Sequence, residues 1–152
     1  MVSLFGSAAF HDDELGELRR SRGAWRGTVA LDGAAVPLIV SGPRAEPDPD
    51  ALRIARSVPE QMSAWRPAIE RALFEHYAPY AEAEPAEEGL PAIREASSVW
   101  PHTRIEFVQV APLDGRLTVE IGLRVAWDEE HTLGARLSGG QLLELNGSIL
   151  AP

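Results

Sequence analysis

One segment near the C-terminus constrains the fold more than any other. From residue 117 to residue 127, apolar side chains alternate strictly with polar or small ones. This period of two is that of a β-strand with one buried and one solvated face. The pair Asp114 and Gly115 just before it is favoured in tight hairpin turns, and residues 105–110 precede the pair as a further apolar segment. The pattern predicts a long half-buried strand paired antiparallel with its predecessor.

Two shorter apolar segments extend this hairpin. Residues 133–137 and 142–145 are separated by two glycines at 139 and 140, another tight-turn signal. We therefore predict a C-terminal four-stranded antiparallel meander. Asn146 and Gly147 predict one more turn, from which Ile149 and Leu150 return along residues 142–145.

The N-terminal part of the chain also has strand patterns. Residues 25–31 and 35–40 flank Asp32 and Gly33, which predicts a hairpin. Residues 15–18 alternate in the same way and add a third strand, entered from an acidic turn at residues 11–14. The expected structure is an N-terminal β-hairpin or a three-stranded unit.

The middle of the chain has helical periodicity. Asp48 is expected to cap a helix that has Pro49 in its first turn, and Pro59 is expected to start a second helix. Central helices at about 48–58 and 60–81 are therefore predicted, with a kink near Ser63 or a restart at Pro67. Apolar residues recur every three or four positions in the second helix and predict a core-facing stripe: Met62, Trp65, Ile69, Leu73 and Tyr77.

These elements define an α+β fold in one domain spanning residues 1–152, with the helices packed on one sheet face. The acidic segment at 78–91 indicates a solvated linker or a frayed helix end, and residues 90–96 are expected to form a helical turn. His76, beside Leu73 and Tyr77 on the helix, is expected at the edge of the core.

Composition narrows the possible functions. The chain has no cysteine, which excludes disulfides and thiolate chemistry and suits a reducing cytoplasm. Residues 1–10 lack the basic residues of a secretory signal, and no apolar run approaches the roughly 20 residues that span a bilayer. The formal net charge of -9 opposes binding to nucleic acid and to anionic membranes, and favours a basic protein partner.

No recognised catalytic motif is present in the sequence. Carboxylates cluster with an imidazole at two places, residues 11–14 and residues 127–131. We assign no catalytic residue, metal ligand or cofactor, and interpret the clusters as a partner-binding surface. Its predicted residues are Asp12, Asp13, Glu14, Trp127, Asp128, Glu129, Glu130 and His131. For Trp127, the alternation favours a place in the core, whereas its position beside three acids also suits an interface aromatic.

Three short segments carry a resemblance to known proteins. They are residues 13–16 (Asp-Glu-Leu-Gly), 25–27 (Trp-Arg-Gly) and 127–134 (Trp-Asp-Glu-Glu-His-Thr-Leu-Gly). In these segments the chain resembles small bacterial domains of unknown function, some of which are suspected immunity or accessory proteins of toxin systems. The resemblance implies an α+β fold with strands on both sides of a helical middle, and a protein that binds rather than catalyses.

Three hypotheses of function follow. The first is a cytoplasmic, immunity-like protein that docks a basic partner through its acidic surface. The second is a metal-assisted hydrolase that uses His11, Asp13 and His131, which requires these side chains to converge. The third is a structural subunit that self-associates through the exposed edge of the meander. The oligomeric state stays open.

Overall fold

The computed structural model describes residues 8–83, 85 and 87–152. Its eight strands form one sheet in which the spatial order is the order along the chain. All neighbouring strands pair antiparallel except β4 and β5, which are parallel. The strands are β1 (Ala9–Asp12), β2 (Gly16–Ser21), β3 (Ala24–Leu31), β4 (Ala34–Val40), β5 (Thr103–Leu113), β6 (Arg116–Val125), β7 (Asp128–Ser138) and β8 (Gln141–Ile149).

The N-terminal unit has four strands rather than two or three. The hairpin of β3 and β4 is confirmed, with Asp32 and Gly33 both at positive φ in its turn. The additional strand, β1, includes His11 and Asp12, two residues of the predicted acidic turn. Phe10 fixes it to the sheet by packing edge-on against Trp25, with ring centroids 6.3 Å apart.

The two predicted central helices are one helix, α1 (Pro49–Glu82). Asp48 caps it as expected, since its side chain accepts a hydrogen bond from the backbone N–H of Asp50. The prediction of a break was wrong because Pro59, Pro67 and Pro79 all lie on the exposed side of the helix, where carbonyl groups that lose a helical partner can bind water. The buried stripe continues past all three prolines and outweighs the lost hydrogen bonds.

The core lies between α1 and one face of the sheet, here called the inner face. The residues of this face stand in cross-strand register from β3 to β7. Their apolar side chains are buried against the stripe of α1, whose Trp65 and Tyr77 belong to this core. Packing of the helix on one sheet face is therefore confirmed. The members of the inner face include Trp25, Val29, Leu38, Val40, Val108, Val110, Val119, Ile121, Leu133 and Ala135.

The C-terminal meander of β5 to β8 is confirmed, with turns at Asp114 and Gly115 and at Gly139 and Gly140. Two details differ from expectation. The short helix is a 3-10 helix at Ala96–His102, which begins at the last residue of the predicted range of 90–96. No turn reverses the chain at Asn146, because β8 continues to Ile149, which pairs with Thr132 across an irregularity in the register.

The two halves of the sheet join at β4 and β5, where Leu38, Ile39 and Val40 pair in parallel with residues 108–110. A parallel pair needs a long crossover connection, and α1 with the 3-10 helix supplies it. Within the described residues, no helix contains a stretch long and apolar enough to cross a membrane.

Candidate functional site

The turn between β6 and β7 and the C-terminal end of α1 enclose a cavity of about 410 Å³. Tyr80, in the last turn of α1, forms one wall, and residues 126–131 form another. The segment after the helix contributes residues 87–90. The cavity thus contains the second of the two His and carboxylate clusters found in the sequence, and we call it the acidic cavity.

A buried carboxylate organises this cavity. Asp128 is 8% exposed and accepts a hydrogen bond of 2.8 Å from the Tyr80 hydroxyl. The Nδ1 atom of His131 lies 2.9 Å from the same oxygen, Oδ2. Burial of Asp128 opposes its ionisation, but the hydrogen bonds from Tyr80 and His131 outweigh it and lower the pKa of this carboxyl. The hydrogen bond to Asp128 raises the pKa of Tyr80 to about 12, so its hydroxyl stays a donor.

Trp127 forms the floor beneath this network. It is 2% exposed, and its indole Nε1 donates a 2.9 Å hydrogen bond to Nδ1 of His76. Its ring packs edge-on against Tyr77 at a centroid distance of 5.4 Å. Burial lowers the pKa of His76, although the nearby charge of Asp128 opposes the shift. His76 therefore accepts from Trp127 as a neutral imidazole at the edge of the core, as its sequence position predicts.

The charge of the acidic cavity is strongly one-sided. Five carboxylates line it, and its described lining contains no arginine or lysine: Glu87, Glu88, Asp128, Glu129 and Glu130 are the acids. Such a cavity favours a cationic group. His131, whose side chain is 44% exposed, is also oriented by Asp128 as a general base would be. Among the described lining residues, the one side-chain hydroxyl is that of Tyr80, which donates to Asp128.

The first cluster, at residues 11–14, has a different structure. Asp12 is 4% exposed and accepts hydrogen bonds from the backbone N–H groups of Glu14 and Leu15 and from the guanidinium of Arg56 on α1. The hydrogen bond from Arg56 lowers the pKa of Asp12 to about 2, against the opposing effect of burial. Asp12 therefore attaches the turn between β1 and β2 to the helix, while Asp13 and Glu14 are exposed.

The two clusters do not meet. The first lies at the end of β1 and the second at the start of β7, with five strands between them in the sheet. Within the described part of the chain, no three side chains of metal-binding type form a group that could hold an ion. His11, Asp13 and His131 therefore lack the convergence on which the hydrolase hypothesis depends.

The eight residues predicted to form the partner-binding surface differ in their exposure. Asp12, Trp127 and Asp128 are buried: Asp12 attaches the turn between β1 and β2 to α1, whereas Trp127 and Asp128 support the acidic cavity. The exposed ones are Asp13, Glu14, Glu129, Glu130 and His131. Sequence reasoning missed Tyr80, Glu87 and Glu88 as parts of the cavity, because only the tertiary fold brings the end of α1 and the segment after it to residues 126–131. Positions 84 and 86 of the predicted acidic linker lie outside the described residues.

The fold and this site define an α+β protein with one eight-stranded sheet, one long helix and an acid-lined cavity at the end of the helix. The chain belongs to the family described as domain of unknown function DUF6985, whose model matches residues 14–149. This finding confirms the resemblance to a family of domains of unknown function. No curated protein and no solved structure matches the chain.

Proposed function

We propose that this chain is a cytoplasmic, non-catalytic binding module of the immunity type, which docks a basic partner protein through the acidic cavity. The observation that carries the proposal is the lining of that cavity, with five carboxylates and no arginine or lysine among the described residues. A surface of this kind attracts a positively charged partner and fixes its register.

The geometry of the site favours an arginine of the partner as the group that enters. A guanidinium donates several hydrogen bonds in a planar fork that matches carboxylates. Asp128 is held in place by Tyr80 and His131, so little side-chain freedom is lost when a ligand binds near it. Glu129 and Glu130 are exposed at the rim, where they act on the approach of the partner.

Titration calorimetry with a tetra-arginine peptide tests this proposal. We expect binding at about 0.01 M salt that weakens strongly at about 0.15 M, since the Debye length falls from about 30 to about 8 Å. The double variant Glu129→Gln with Glu130→Gln is expected to bind about tenfold more weakly, because each lost exposed ion pair contributes up to about 1 kcal/mol.

The matched control is Glu46→Gln with Glu60→Gln, which removes the same charge from exposed positions outside the cavity. An equal loss in both double variants, or binding that ignores salt, would contradict the proposal. Capture from a native lysate with the wild type and the cavity variant side by side then identifies the basic partner, retained by the wild type alone at low salt.

One observation supports the hypothesis of self-association as a second candidate. Strand β8 is the C-terminal edge of the sheet, is nine residues long, and has Leu143 half exposed. An open edge of this length is a template for strand pairing between two copies. Sedimentation over a range of protein concentrations tests it, and a monomer throughout would exclude it.

A further inference from the structure

The face of the sheet that points away from α1, here called the outer face, contains a second cavity of about 390 Å³. Strands β3, β4, β5, β6 and β7 all contribute to it, together with the turn between β2 and β3 and residues 151–152 after β8. Pro37, Ile39 and Phe107 supply an apolar floor. Four of its lining residues are arginines, and we call it the arginine groove: Arg22, Arg26, Arg104 and Arg124.

Positive charge in the arginine groove is only partly neutralised. Glu106 is the one acid of its described lining. This carboxylate lies 3.0 Å from Nε of Arg104 and 4.0 Å from Nε of Arg124, so it is shared by two guanidiniums. Neither Arg22 nor Arg26 has a carboxylate within ion-pair distance among the described residues. Four cations against one acid is a marked local exception in a chain whose formal net charge is -9.

The strand register places like charges opposite each other at this groove. Arg104 pairs directly with Arg124 between β5 and β6, and Arg26 pairs with Arg19 between β2 and β3. Like charges in directly opposed positions destabilise a sheet. A bulge between Ile105 and Phe107 gives Glu106 its place beside Arg104, a device that is frequent next to functional sites. These arrangements cost stability, and only part of the cost is offset: Arg104 and Arg124 share Glu106, Arg19 pairs with Glu17, and Arg26 and Arg124 otherwise donate to backbone oxygens.

The backbone conformation of Arg22 also lowers stability at the arginine groove. Arg22 has a φ of 50° in the turn between β2 and β3, a left-handed conformation that favours asparagine, aspartate or glycine. The equivalent turns between β3 and β4 and between β5 and β6 have Asp32 and Asp114 at this position. The chain therefore has an arginine at a turn position whose backbone conformation favours a different residue.

From these costs, which converge on one cavity, we infer that the arginine groove is a binding site for a small, multiply charged anion bearing phosphate or carboxylate groups. Features that lower stability and converge on one place are typical of functional sites. The groove already holds one acceptor oxygen, since Nη1 of Arg26 donates a 3.2 Å hydrogen bond to the backbone oxygen of Pro152. Burial, and then the charge of Arg22, lower the pKa of Arg26, which agrees with the two guanidiniums lying close together.

The chemistry of the groove selects the ligand. Guanidiniums bind phosphate and carboxylate oxygens through paired, charge-assisted hydrogen bonds. Arg22 and Arg26 come from the turn before β3 and from β3 itself, whereas Arg104 and Arg124 come from β5 and β6. A ligand with two anionic groups can therefore engage both pairs. This site is distinct from the acidic cavity, with which it shares no lining residue.

Calorimetric titration of the full chain with inorganic pyrophosphate, and separately with citrate, tests this inference and distinguishes phosphate from carboxylate. We expect at least one of them to bind, with an affinity that falls as salt increases. The decisive variant is Arg22→Asn, which removes a cation while it supplies a residue that the turn favours. We expect its thermal midpoint to be unchanged or higher and its anion affinity about tenfold lower.

The second variant, Arg22→Gln with Arg26→Gln, is expected to abolish binding. Its matched control is Arg71→Gln with Arg94→Gln, two exposed positions outside the groove. Absence of binding of both anions to the folded wild type would overturn the inference. So would an equal loss of affinity in the control, or an Arg22→Asn variant that binds as tightly as the wild type. The tetra-arginine titration reports on the acidic cavity alone, so failure at one site is separable from failure at the other.

Discussion

The buried carboxylate of Asp12 shows how one side chain can hold two elements together. It accepts two backbone N–H groups of its own turn and the guanidinium of Arg56 on α1. All three donors lose their partner when the carboxylate is removed. In the sequence, Asp12 is indistinguishable from its neighbour Asp13, which is exposed. The contact with Arg56, 44 positions away, decides the difference.

We predict that Asp12→Ala lowers the free energy of unfolding at pH 7 by about 1–3 kcal/mol, because buried donors are left unsatisfied. The folded pKa of about 2 lies below the ordinary value of 3.8. The ionised form is therefore favoured by folding, and its contribution is present above about pH 4 and lost as the pH falls through 2. Urea unfolding of both proteins at pH 7 and at pH 2 measures this, with Asp13→Ala as the exposed control. A constant difference between wild type and variant at the two pH values would contradict the prediction.

At the scale of the elements, the outer face depends on a close fit between β5 and β6. Gly122 stands opposite Phe107, and a Cβ atom at position 122 would lie 2.1 Å from the Phe107 ring. The ring is buried although it lies on the face away from the helix. Gly122 is thus required for the close approach of a ring, whereas its sequence context suggests only one more residue of the solvated face.

Gly122→Ala is expected to destabilise the protein by about 1–3 kcal/mol, because the added methyl group forces Phe107 to move in a packed environment. Combining it with Phe107→Leu is expected to cost less than the sum of the two single substitutions, since the smaller side chain leaves room for the methyl group. Chemical denaturation of the four proteins of this cycle gives the coupling. Additive effects would show that the ring and the methyl group do not compete for space.

At the scale of the whole molecule, the parallel pairing of β4 with β5 joins the N-terminal and C-terminal strands into one sheet. The helix α1 contacts strands of both halves, including β3 and β8. Each half of the inner face is therefore covered by the same helix, and neither half has a separate core. This arrangement favours cooperative unfolding.

We predict a single unfolding transition for the whole chain, because loss of either half exposes the stripe of α1. Tryptophans report on both halves, with Trp25 on β3 and Trp127 in the turn between β6 and β7. We expect fluorescence of the variants Trp25→Phe and Trp127→Phe, and circular dichroism of the wild type, each to show one transition. These transitions are expected to coincide once the change in the free energy of unfolding caused by each substitution is subtracted. Two separated transitions would mean that the halves unfold independently.

Much of the fold is determined by local sequence signals. The alternation at 117–127, the Asp-Gly turns and the periodicity at 62–77 define hairpins and helix because strand and helix periods and turn conformations depend on neighbouring residues. Continuity of α1 past its prolines was decided by tertiary packing, since only the folded structure shows that all three face solvent. The acidic cavity and the arginine groove were also decided by tertiary structure. Asp128 meets Tyr80 and four arginines line one groove because of contacts between distant segments, which no local pattern specifies.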